Sequence, residues 1–190
     1  MARKLAATIV VLALFATLIT LGALAVFTST ASVPSDTFST GTVVISTAPA
    51  SALVTFSGMA PGDQVTNPIT VTNGGSLALR YAVVSTTTEN TLAGQLSLTI
   101  KSGVTTCTNG GFGSSGTVLY GPALLGTIAG TNVVGNPSQG AQAGDRTLAA
   151  SANEILCFNV SLPLATGNTF QGLTSTATFA FQAEQTANNP

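Results

Sequence analysis

The chain contains no histidine, and that absence removes several chemistries at once. Zinc sites of the H-E-x-x-H type, Ser-His-Asp triads and Cys-His pairs all need an imidazole. The acids are Asp36, Asp63, Glu89, Asp145, Glu154 and Glu184, no two of them within five residues of each other, so no local paired-acid or metal cluster is visible. No catalytic residue, cofactor or metal ligand is expected. Charge of either sign is scarce: charged residues make up 6 % of the chain, against roughly 25 % in an ordinary soluble protein. Arg3 and Lys4 stand at the N-terminus, which leaves Arg80, Lys101 and Arg146 to meet a phosphate backbone or an anionic lipid surface. Three isolated cations exclude nucleic-acid binding through a basic patch, and an electrostatic grip on membranes with it.

What is present begins with hydrocarbon. From Leu5 to Phe27 the chain carries no charge, behind the short positive stretch at Arg3 and Lys4. A cleaved leader needs an apolar run of about 7 to 15 residues, and this one approaches the roughly 20 that span a bilayer. Ala23 and Ala25 form a small-x-small site, which predicts cleavage after Ala25 and a mature start at Val26; the alternative is an uncleaved anchor. The expected organisation is a helical signal peptide over 1–25, an N-terminal strand and linker over 26–37, and one domain over 38–190. Contact with the membrane is expected only through the leader, before a signal peptidase removes it.

Cys107 and Cys157 are the two cysteines, both downstream of the leader. In an oxidising compartment an even count reads as one disulfide. Two buried thiols are the alternative. Neither cysteine has a second Cys or a His at metal-ligand spacing.

Beyond the leader the pattern has period two, with β-branched residues and turn signals at short intervals, and no window of a dozen residues shows a helical repeat. Strands are predicted at Thr42 to Ser46, Ala52 to Phe56, Ile69 to Asn73 and Leu77 to Ser85, then at Gln95 to Lys101, Thr117 to Gly121, Glu154 to Leu162 and Ala177 to Gln185. In the last, Ala177, Phe179, Phe181 and Ala183 form the core-facing set. Pro61-Gly62 presets a type II turn, Asn73-Gly74-Gly75 is read as supplying positive φ, and Gly110 to Gly116 is too glycine-rich for a strand. Gly130 to Gly144 has little apolar content and reads as a long exposed loop. This many short strands predicts an all-β two-sheet sandwich.

The order of "AVFTSTAS", "FSTGTVVIS" (Phe38 to Ser46) and "FSGMAPGDQVTNPITVTNGGSLALRYAV" (Phe56 to Val83) resembles the TasA/camelysin family of exported bacterial and archaeal proteins. The resemblance continues more weakly through "CFNVSLP" (Cys157 to Pro163) and "FAFQAEQ" (Phe179 to Gln185). It implies a SipW-type signal peptide cut just before the first Phe, and a jelly-roll-like β-sandwich. It also implies an extracellular location and, as in the best-studied members, assembly into biofilm-matrix fibres by donating an N-terminal strand to a neighbouring subunit. On that expectation the partner is a second copy of the chain, head to tail. In an extended chain Phe27, Ser29, Ala31 and Val33 share one face, and Pro34 ends the run. These four residues are the expected donor strand. A monomeric surface or adhesive domain is the alternative, followed by a surface metallopeptidase, as camelysin members are described.

Other motifs reduce to ordinary structure. Asp63 in "APGD" is expected to cap its own turn, and Arg80 to be solvated on a sheet's outer face or paired to an acid. "LPLATG" (Leu162 to Gly167) has one residue too many between Pro and Thr for a sortase signal and reads as a strand end and turn. "NVS" (Asn159 to Ser161) fits a glycosylation sequon but lies inside a predicted strand.

Overall fold

The computed structural model describes residues 39–50 and 58–189. The leader, Ala23, Ala25, Val26, the expected donor residues Phe27, Ser29, Ala31 and Val33, and the strand expected at Ala52 to Phe56 lie outside them. From Thr40 the chain forms one compact unit. Its strands are β1 (Ile45–Ala48), β2 (Gln64–Asn73), β3 (Leu79–Thr87), β4 (Ser97–Ser102), β5 (Thr117–Leu124), β6 (Thr131–Val134), β7 (Arg146–Leu148), β8 (Asn153–Ser161) and β9 (Ala177–Gln185). One turn of 3-10 helix covers Asn168–Phe170. Among the described residues no helix is long and apolar enough to cross a membrane.

The strands make the two-sheet sandwich that the alternation predicts. One sheet is antiparallel in the order β1-β2-β8-β4-β5. The other is built on β3, which pairs with β9 along one side over its whole length, and with β7 and then β6 along the other. Consecutive strands mostly change sheet: β2 to β3, β3 to β4, β5 to β6, β7 to β8 and β8 to β9 all cross. Alternate residues then meet between the sheets. Ile69, Val71, Leu98, Ile100, Leu156, Phe158 and Val160 come from the first sheet, and Leu79, Tyr81, Val83 and Leu148 from the second. The β9 set falls as its alternation predicts, with Ala177, Phe179, Phe181 and Ala183 packed on this core. Phe179 meets Phe158 edge-on at 5.0 Å between ring centroids, an arrangement in which a ring's positive edge faces a negative face.

Two expectations fail for identifiable reasons. Gly130 to Gly144 is not a plain exposed loop: Thr131–Val134 is β6, with Val133 and Val134 buried. Its only large apolar residues are that pair, too short a run to register as a strand until β3 supplies the ladder. Asn73-Gly74-Gly75 does not use positive φ at either glycine. Gly75 is required by proximity instead, because a Cβ there would collide with the carbonyl oxygen of Thr42. Asn73 organises the same turn while fully buried. Its Nδ2 donates to the carbonyls of Leu77 at 2.8 Å and Ala149 at 3.0 Å, and its Oδ1 accepts from Gly75 N–H at 2.9 Å. Pro61-Gly62 behaves as expected, with Gly62 at φ 97° and Asp63 N–H donating to the Ala60 carbonyl at 2.9 Å.

Between β4 and β5 the chain forms a strap across the outer face of the larger sheet. Cys107 is bonded to Cys157 on β8. Asn109 Nδ2 donates to the Gln64 carbonyl on β2 at 2.8 Å, and Lys101 Nζ on β4 donates to the Phe112 carbonyl at 2.8 Å while lying 4.6 Å from that ring's centroid. The strap thus ties three adjacent strands and covers Cys157, which would otherwise face solvent. A disulfide of sequence separation 50 constrains the unfolded chain by about 3 to 4.7 kcal/mol in the loop-entropy view. The double variant Cys107→Ser/Cys157→Ser is expected to lose stability of that order in urea unfolding, with its strand content retained by circular dichroism.

Candidate functional site

The scarce charges could serve chemistry only if the fold gathered them, so their partners decide what the surface can do. Asp63 Oδ2 accepts Ala60 N–H at 2.8 Å and caps its turn, as expected. Glu89 accepts the amides of Thr91 at 2.6 Å, Leu92 at 2.9 Å and Ala93 at 3.0 Å. Desolvation opposes its charge, but these amides together outweigh it and hold its carboxyl below the usual range. Asp145 spends both oxygens on amides, Oδ1 on Asn136 at 3.0 Å and Oδ2 on Gln142 at 2.9 Å.

The remaining acids among the described residues, Glu184 and Glu154, pair with Arg80 and Arg146. β3 sets Arg80 opposite Glu184 of β9, with Nε 2.9 Å from Oε1. That distance makes an ion pair, but the N–H is not aligned for a hydrogen bond, and Nη2 is buried with no partner. The Arg80 side chain is only 8 % exposed, lying beside the segment that runs from β6 to β7. Gly140 in that segment donates its N–H to the same Glu184 oxygen at 3.0 Å. Of the two alternatives for Arg80, pairing is the one the fold adopts.

On the inner side, β7 places Arg146 beside Tyr81 in the ladder, and both reach Glu154 of β8 in the opposite sheet. Arg146 Nη2 donates to Glu154 Oε2 at 2.6 Å, and the Tyr81 hydroxyl donates to Oε1 at 2.7 Å. Burial, then the hydrogen bond and negative charge of Glu154, push the Tyr81 phenol well above its ordinary range. The Glu154 hydrogen bond raises the Arg146 guanidinium in turn. The sequence did not reveal this bridge, because β7 has three residues and no alternation long enough to see. Among the described residues no three His, Cys, Asp or Glu side chains are placed to hold a metal.

The sheet margins differ sharply. β5 ends the larger sheet, exposing Val118 at 50 % and Leu124 at 46 %. It is irregular: its register against β4 shifts twice, Gly121 has φ 79°, and Pro122 offers no N–H. Those are the devices that keep an edge from pairing. β9 has none of them. It holds one register from Leu79↔Gln185 to Thr87↔Ala177 without bulge, Gly or Pro, and among the described residues no strand pairs along its other side. Phe179 and Phe181 there are only half-buried, as is Ile45 on the short strand β1.

A sequence model of the family described as Camelysin metallo-endopeptidase matches residues 1–98, which span β1 to β3 and the start of β4. No curated protein matches the sequence.

The Glu154 bridge generates a test in two parts. Glu154→Ala strands a half-buried guanidinium and a buried hydroxyl, and is expected to cost about 1.5 to 3 kcal/mol in urea unfolding. Tyr81, with its pKa raised in the fold, adds a pH dependence. Below the unfolded phenol's pKa of about 10 both states hold the proton and nothing changes; above it only the unfolded chain releases the proton, so stability falls as pH rises. Absorbance at alkaline pH is expected to show Tyr81 ionising only together with unfolding, and Tyr81→Phe is expected to flatten that fall.

Proposed function

The chain belongs to the camelysin metallo-endopeptidase family, and we propose that within it this protein is a structural subunit of an extracellular fibre rather than a peptidase. Subunits join by donor-strand complementation: Phe27, Ser29, Ala31 and Val33 of one copy form the strand that pairs with the next copy. The observation that carries the reading is the contrast between the margins, one long regular strand at β9, unpaired on its outer side among the described residues, and one irregular guarded strand at β5. A strand added along β9 gains main-chain hydrogen bonds, and its apolar face would cover Phe179, Phe181 and Ile45 where the sandwich is half-open. Donor and acceptor are different surfaces, so each added copy presents the same acceptor again and growth runs on as a filament.

The family description favours a second reading, a metal-dependent peptidase, and the described residues do not fit it. The chain has no histidine. Asp63, Glu89 and Asp145 are held by backbone amides, and Glu154 and Glu184 by arginines. A divalent ion at either of the last two would have to displace a guanidinium.

Deleting Val26 to Val33 separates these possibilities. The truncated chain is expected to fold, to keep its disulfide, and to form no fibres by electron microscopy. Because it retains the acceptor and lacks the donor, adding it to full-length mature protein is expected to shorten filaments. Normal fibres from the truncated chain would refute the mechanism, and chelator-sensitive casein cleavage lost in a carboxylate variant would refute the non-enzymatic reading.

A further inference from the structure

Exposed large apolar side chains stand at both ends of the domain. β8 delivers the chain to one end at Ser161, and β9 leaves that end at Ala177, so the connection between them lies there with the loops joining β3 to β4 and β5 to β6. Leu164 in that connection is 81 % exposed, and Leu173 and Ile128 are exposed at the same end. The chain enters the domain at the opposite end, where Ile45 pairs with Asn73 and Thr42 N–H donates to Ser76 Oγ at 2.9 Å. Val43 and Val44 are exposed there, Val44 at 48 %. Neither end offers a free charge. No charged residue lies between Glu154 and Glu184, and Asp63 and Glu89 are held by amides of their own loops. The entry end, formed by residues 40–44, 73–78, 149–152 and 186–189, contains no Asp, Glu, Lys or Arg.

Strand donation, on which this inference rests, limits where one copy can sit on the next. Between Val33 and Thr40, where the compact unit begins, stand six residues, which span at most about 22 Å when fully extended. β9 has nine residues and is about 30 Å long at roughly 3.3 Å per residue. The linker therefore cannot run back along the acceptor, and the entry end of the donating copy must lie against whichever end the donor strand leaves. Every strand pairing among the described residues is antiparallel, the slightly more stable arrangement per residue. A donor antiparallel to β9 has Phe27 toward Gln185 and Val33 toward Ala177, and so leaves at the end that carries Leu164 and Leu173. Parallel pairing would bring two entry ends together and leave those leucines in solvent. We propose that consecutive copies also meet end to end, the Leu164 and Leu173 end of the acceptor packing on the Val43 and Val44 end of the copy that donates to it.

The test uses the full mature chain. With Val44→Cys and Leu164→Cys in one chain, both at exposed positions, mild oxidation of assembled filaments is expected to give a ladder of covalent multimers on non-reducing gels. Neither substitution alone is expected to cross-link. Leu164→Ser/Leu173→Ser is expected to keep the circular dichroism spectrum and to raise the concentration needed for assembly about tenfold or more, the order set by losing a buried leucine. Filaments that require Val26 to Val33 but give no cross-link between positions 44 and 164 would overturn the end contact and leave strand donation standing. Cross-linking by Leu164→Cys alone would mean that like ends meet, and would overturn it too. Unchanged assembly of the serine variant, with lost binding to phosphatidylcholine vesicles, would assign the leucines to a lipid surface instead. Filaments that form without Val26 to Val33 would remove strand donation and this inference with it.

Discussion

β6, β7 and β9 share a single ladder partner, β3, so every strand of the smaller sheet takes its place from the register of one nine-residue segment. That dependence explains why β3 is buried almost end to end: its inner residues Leu79, Tyr81 and Val83 enter the core, while Arg80 and Ala82 on the outer side are covered as well. A slip of one residue in β3 would turn each inner side chain outward and would send the Arg80 guanidinium toward the core. Tyr81 anchors the register against the opposite sheet through Glu154, and Arg146 of β7 reaches the same carboxylate. One acid on β8 thus fixes the relative position of two strands in the facing layer.

How much of this could be read from the sequence depended on the length of the alternation. β9 runs nine residues with visible period two, and its core face followed directly; β3 and β8 were legible as strands, and of β2 only the half from Ile69 to Asn73. The disulfide was equally legible, since two cysteines in an oxidising compartment leave one pairing. β6 and β7 were hidden because Thr131–Val134 and Arg146–Leu148 are shorter than a period can reveal; only a waiting ladder on β3 makes them strands. The charge bridge went unseen with them, for it depends on Arg146 lying beside Tyr81. Gly75 of the Asn73 turn was recognised as necessary for the wrong reason, because its collision with Thr42 involves a segment far away in sequence, whereas φ is a local property.

The low charge has a second structural side. Nearly every ionisable group in the described domain already has a protein partner, whether turn amides for Asp63, Glu89 and Asp145 or ion pairs for Glu154 and Glu184. Between Lys101 and Asp145 the chain carries no charge at all, and that stretch supplies the strap, β5 and β6. Solubility there rests on Ser, Thr, Asn and Gln. Copies of such a surface repel each other weakly, and the irregularities of β5 take on the task that like charges perform in more ordinary proteins.

The pairing of β3 with β9 also bears on how the domain is reached in time. It joins residue 79 to residue 185 and residue 87 to residue 177, the most widely separated ladder among the described residues. Loop closure is paid before such contacts return anything, and sheets dominated by distant pairings fold slowly for that reason. Until the final segment arrives, β3 has a bare edge and Phe158 lacks the Phe179 ring packed against it. The strand made from this last described segment is therefore the one that covers Phe158, and a chain stopped short of it would leave that ring and the edge of β3 bare.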